Sequence, residues 1–79
     1  IISADKTRNN IIKNVKIFNL DENYNLVSKI YSKTADISKN EWILNEVIIN
    51  AYENGVLKEN ITDNYSIVTE YNYRKITNL

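Results

Sequence analysis

The residues of this chain able to do acid–base or nucleophilic chemistry are few and poorly matched to it. Histidine and cysteine are absent, which removes imidazole bases, thiolate nucleophiles, disulfides, zinc sites and iron–sulfur ligation. The carboxylates left to consider are Asp21-Glu22, Asp36, Glu41, Glu46, Glu53 and Asp63. Asp21-Glu22 adjoins Asn23, a composition that suits a solvated turn better than a general acid–base pair. Glu46 and Glu53 share a face only if their segment is helical. No spacing marks a working carboxylate pair or a Lys/Tyr system, so the expectation is a non-enzyme with no cofactor and no metal. Asp21–Asn25 resembles a calcium loop superficially, but it lacks the glycine and the distal glutamate of an EF-hand. Asn60-Ile-Thr62 and Asn64-Tyr-Ser66 fit the glycosylation sequon. In so asparagine-rich a chain both read as ordinary turn and strand residues.

Aromatic side chains offer a second kind of site. Six tyrosines, Phe18 and Trp42 interleave with Lys16, Lys29 and Lys33, as a stacking platform for single-stranded nucleic acid would. Ten acidic and ten basic side chains cancel, however, and are interspersed along the chain. No basic stripe exists to follow a phosphate backbone, so no nucleic-acid partner is expected. Tyrosine is in any case a favoured strand residue with an apolar body and a polar tip. Trp42 and Leu44 are the most prominent apolar pair. They suit plain core packing, at roughly 1.5–3 kcal/mol for each fully buried side chain, or the lining of an interior open to acyl chains.

The elements that must position these residues are read from turn signals. Seventy-nine residues make one small domain with a modest core. No apolar run approaches the roughly 20 residues a membrane helix needs. Proline is absent and glycine occurs once. Punctuation falls instead to Asn9-Asn10, Asp21-Glu22-Asn23, Ser38-Lys39-Asn40, Asn54-Gly55 and Asp63-Asn64, whose side chains bond nearby backbone and tolerate left-handed geometry. Between them lie Ile11–Leu20, Tyr24–Ile37, Glu41–Glu53, Val56–Thr62 and Tyr65–Tyr73, rich in Val, Ile, Tyr and Thr, which predicts a meander of long antiparallel strands. Asn54-Gly55 is the best hairpin signal, since both residues accept the positive φ of a type I′ turn. One segment carries two readings. Leu44, Val47, Ile48, Ala51 and Tyr52 form a helical stripe, Ser38 with Glu41 forms a capping box, and Gly55 sits where a helix would end. Against helix stands the β-branched content of the same segment.

The stretch from Val15 to Val47 carries a resemblance. Val15-x-Ile-Phe-x-Leu-Asp21, then Ile30-x-Ser-x-x-Ala35, then Trp42-x-Leu44 followed by Val47 occur in the order and spacing of one family. The chain resembles, over roughly Asn14 to Tyr71, the periplasmic domain of the lipopolysaccharide-export permeases (the LptF/LptG family), with a lean toward the LptG type. The resemblance implies an all-β, long-stranded antiparallel jellyroll or "β-taco", here an incomplete or excised one spanning residues 1–79, with the membrane helices of the full protein absent. It implies a strand at Glu41–Glu53. It also implies a non-catalytic periplasmic module of a bacterial inner-membrane transporter. Ile17, Ile30, Trp42, Leu44, Val47 and Ile49 would line an apolar groove for lipopolysaccharide acyl chains. Partners implied are lipopolysaccharide, neighbouring jellyrolls joined by edge-strand pairing, a paralogous permease and a cytoplasmic ATPase. The alternatives are a structural or adhesion-type β-sandwich with a closed core, and a small α+β domain with a helix at 41–53.

Overall fold

The computed structural model describes residues 2–69. Five strands follow one another in chain order: β1 (Ile2–Lys6), β2 (Ile11–Leu20), β3 (Leu26–Asp36), β4 (Glu41–Glu53) and β5 (Val56–Val68). All pair antiparallel with their sequence neighbours in one sheet of order β1-β2-β3-β4-β5. The fold is all-β, long-stranded and antiparallel, and Glu41–Glu53 is a strand. It is an up-and-down meander, and among the described residues no Greek-key crossover occurs. No helix among them is long and apolar enough to cross a membrane.

Each connection is set by short polar side chains. Asn9 and Asn10 both take positive φ between β1 and β2, where the Thr7 N–H donates to the Ile11 carbonyl at 3.1 Å. Between β2 and β3 the Asp21 carboxylate accepts the N–H groups of Asn23 at 2.8 Å and Asn25 at 2.9 Å. Those bonds hold the Asp21 carboxyl below its usual range, the Asn25 N–H contributing most. Asp36 accepts the Ser38 N–H at 2.9 Å before β4 and is lowered chiefly by that bond. Asn54 and Gly55, at φ 52° and 78°, make the β4–β5 hairpin, with both central residues left-handed as a type I′ turn requires.

One expectation about the strands is corrected, and one strand lies outside the expected set. The short strand β1 is not marked by any long β-branched run, yet it pairs Ile2 with Ile17 and Ser3 with Lys16. Asp63-Asn64 does not separate two strands; β5 runs through it from Val56 to Val68. The expected segment Tyr65–Tyr73 therefore merges into β5, and its residues 70–73 lie outside the described residues.

A five-stranded single layer leaves both faces open to water, but Trp42, Leu44 and Val47 are each 0% exposed. The sheet achieves this by folding over on itself. Along β2 the inward residues are Ile12, Val15 and Ile17; along β3 they are Ile30, Ser32 and Ala35; along β4 they are Trp42, Leu44 and Val47. A strand alternates faces with period two, yet each of these sets contains one step of three. The three steps coincide. Val15 pairs with Ser32, Ser32 with Val47 and Val47 with Thr62; on the far side Ile12 pairs with Ala35, Ala35 with Leu44 and Leu44 with Tyr65. Between these rows Asn14, Lys33, Glu46 and Asp63 drop out of the ladders together. Asn14 and Glu46 take φ 52° and 54° there. On β1 the register also shifts between Ser3 and Asp5. A crease thus crosses the whole sheet, made like a β-bulge but repeated in every strand, so the register survives while the sheet bends. One apolar cluster results, joining Ile2, Val15, Ile17, Ile30 and Val47 from one side of the crease, and Ala4 at it, to Ile12, Ala35, Ile37, Trp42 and Leu44 from the other.

Candidate functional site

The inner face of the creased sheet gathers the chain's apolar chemistry. Ile17, Ile30, Trp42, Leu44 and Val47 belong to the buried cluster, and Ile49 is partly buried against it. Each owes its place to strand alternation counted from the crease. Ile17, Ile30 and Ile49 lie in one cross-strand row, and Val47 lies in the next row toward the crease. Leu44 and Trp42 lie beyond it and face the others because the sheet turns back. All six share one face, but their exposure differs. Trp42, Leu44 and Val47 have no accessible surface, whereas Ile17 and Ile30 keep 6% and 7%.

The interior opens at the Ile17–Ile30 end. Ile2, Ile17, Asn19, Ile30, Ile67, Val68 and Thr69 line a cavity of about 340 Å³, within the size range of ligand sites. Ile67 pairs with Trp42 across the β4–β5 ladder, so this mouth lies where the two halves of the sheet meet. Ile2 and Ala4, contributed by β1, are members of the site that sequence reasoning missed. The available signal was the small alternation Ile2-Ser3-Ala4, too short to mark a strand.

Two polar groups are trapped in this interior. The Ser32 hydroxyl and the Trp42 indole N–H are buried and have no hydrogen-bond partner. An unpartnered buried donor costs about 1–3 kcal/mol, so the closed interior is polar-frustrated at two points. Neither residue is placed to act as a nucleophile, since no base lies within hydrogen-bond reach of the Ser32 hydroxyl. Among the described residues no group of three or more carboxylates is clustered to hold a metal ion.

No family model matches this chain, and comparison with curated proteins finds no match.

The outer face is polar and mixed. Phe18 lies opposite Lys29, whose ammonium stands 5.8 Å from the ring centroid, a contact typical of cation–π pairing. Lys33 pairs with Glu46 at 3.7 Å, with both side chains about two-thirds exposed, so the pair adds little stability. Among the described residues the aromatic side chains are divided between the two faces, with Trp42 sealed inside and Phe18 outside. Among the described residues the long strand β5 is the last of the sheet, carrying exposed Val56, Leu57, Ile61 and Val68 and no proline. A strand of this kind presents unpaired backbone groups to a neighbour.

Proposed function

We propose that this chain is a non-catalytic apolar-binding module of the lipopolysaccharide-export permease type, whose creased sheet offers its inner face to acyl chains. The observation that carries the reading is the one-sided apolar face: Ile17, Ile30, Trp42, Leu44, Val47 and Ile49 all point inward, and the cavity mouth is lined by Ile2, Ile17, Ile30 and Ile67. Burial of acyl methylenes there is worth about 0.8 kcal/mol each, and the site needs no acid, base or metal to work. By the same resemblance, the outer edge of β5, the last described strand, is the surface for pairing with a neighbouring β-domain, backbone to backbone. Lipopolysaccharide, that neighbouring domain, a paralogous permease and a cytoplasmic ATPase are the partners of this reading, and the bacterial periplasm is its location.

Photo-crosslinking tests it. A photo-reactive residue at position 30, inside the mouth, should give an adduct with lipopolysaccharide, while one at position 29, on the outer face, should not. Equal labelling from both positions, or none from 30, contradicts the reading. A second reading, a structural or adhesion module with a closed core, is favoured by the complete burial of Trp42, Leu44 and Val47. It gives no adduct from either position.

A further inference from the structure

We propose that the crease is a hinge, and that the chain exchanges between the folded-over sheet and an opened one in which Trp42 and Leu44 meet solvent. Three independent observations carry this. The first is backbone conformation. Left-handed geometry is rare outside glycine; asparagine tolerates it, but glutamate gains nothing from it. Glu46 nevertheless holds φ 54° in the middle of a thirteen-residue strand, in the same cross-sheet row as Asn14 at φ 52°. A return of these residues to ordinary extended φ straightens the strands and separates the two halves.

The second is hydrogen bonding. The row Asn14, Lys33, Glu46 and Asp63 is the one level at which the β2–β3, β3–β4 and β4–β5 ladders are all interrupted in the middle of their strands. Bending there leaves intact the paired rows on either side. On the outside, Lys33 and Glu46 form an exposed pair within the row at 3.7 Å, and Asn14 accepts a long bond from the Tyr31 hydroxyl at 3.4 Å while its amide donates to the Asp5 carboxylate at 2.8 Å. The third is the interior. The Trp42 N–H and the Ser32 hydroxyl are buried without a partner in the folded-over sheet, and opening would return them to water. Closure therefore works against both a strained backbone and two unsatisfied donors, with apolar burial on the other side of the balance.

The hinge stands on the fold alone and does not depend on the acyl-chain reading. Its test contains no lipid, so the two proposals fail separately. Trp42 is the single tryptophan of the chain and lies in the interior that opens, so its fluorescence reports the motion directly. Acrylamide quenching of Trp42 would be measured in the full 79-residue chain and in three variants at the exposed position 46. Glu46→Gly removes the penalty of the closed backbone and should lower the open population roughly ten-fold, with quenching reduced. Glu46→Val, β-branched at positive φ, should raise quenching and shift emission to the red while far-UV circular dichroism keeps its strand signal. Glu46→Gln loses the ion pair but keeps the backbone preference, and should behave as the parent. Quenching in Glu46→Gly equal to or above that of the parent overturns the hinge, whether or not the valine variant folds. So does a valine variant that folds with Trp42 as protected as in the parent.

Discussion

Trp42→Phe separates the two opposing roles of the indole. Trp42 is fully buried in the cluster, and its N–H has no partner. Shortening the indole to a phenyl ring removes about two carbons' worth of burial, roughly 1.6 kcal/mol at ~0.8 kcal/mol per methylene. It also leaves a void of roughly 40 Å³, worth about 1 kcal/mol at ~24 cal/mol per Å³. Against that, removing an unsatisfied buried donor returns about 1–3 kcal/mol. The sum places Trp42→Phe within about 1.5 kcal/mol of the parent, where a tryptophan with a satisfied N–H would lose more. Trp42→Ala has no such compensation and should cost about 3–5 kcal/mol. A domain of this size has roughly 4–12 kcal/mol of stability, so the alanine variant sits near the edge of folding. Urea unfolding followed by far-UV circular dichroism gives both values, since the phenylalanine variant has no tryptophan signal. A loss of more than about 3 kcal/mol in Trp42→Phe would refute the reasoning, because it would mean that the N–H is bonded in the folded protein.

Ser32→Ala removes the second trapped polar group and should be neutral or stabilising in the same urea assay, where a loss above about 1.5 kcal/mol would show that the hydroxyl is bonded. Gly55→Ala meets no neighbouring atom within 4 Å but must hold φ 78°; the backbone alone should cost about 1–2 kcal/mol in thermal unfolding. Asp21 and Asp36 are held below their usual values by backbone N–H donors. Their stabilising effect is therefore present above the unfolded carboxylate value and fades as pH falls through the lower folded one. Melting curves from pH 6 down to about pH 2 should show Asp21→Asn and Asp36→Asn losing less stability on acidification than the parent. Ile61→Lys, at an exposed position of β5, should leave stability within about 0.5 kcal/mol of the parent in the same urea assay.

The strands that can be read from the chain are those bounded by side chains that must turn. Ile11–Leu20 and Glu41–Glu53 follow from Asn9-Asn10, Asp21, Asp36 and Asn54-Gly55, whose bonds and left-handed angles close the turns. Asp63-Asn64 misleads for a physical reason. Asp63 lies in the crease row, where a polar, turn-like residue suits a bend across the sheet and the strand simply continues. The helical stripe in β4 has the same origin. Leu44 and Val47 are three apart and both face inward because Glu46 adds a residue at the crease. The same step of three appears between Ile12 and Val15 and between Ser32 and Ala35, and three such steps at one level are the signature of a bent sheet. Strand alternation also shows that Trp42 and Leu44 share a face. Whether that face is open depends on how far the sheet folds back, which no local pattern encodes. The inward side of β1, with Ile2 and Ala4, depends likewise on long-range pairing with β2.

Contact-range quenching of Trp42 by a lipid tests the central claim most directly. The chain would be titrated with lipopolysaccharide carrying brominated acyl chains and, in parallel, with the same lipid unbrominated. An inner face that takes acyl chains brings bromine against the indole, so Trp42 fluorescence should fall saturably with the brominated lipid alone. Identical, unquenched emission with both lipids, under conditions where the chain binds them, would place the acyl chains elsewhere and contradict the account.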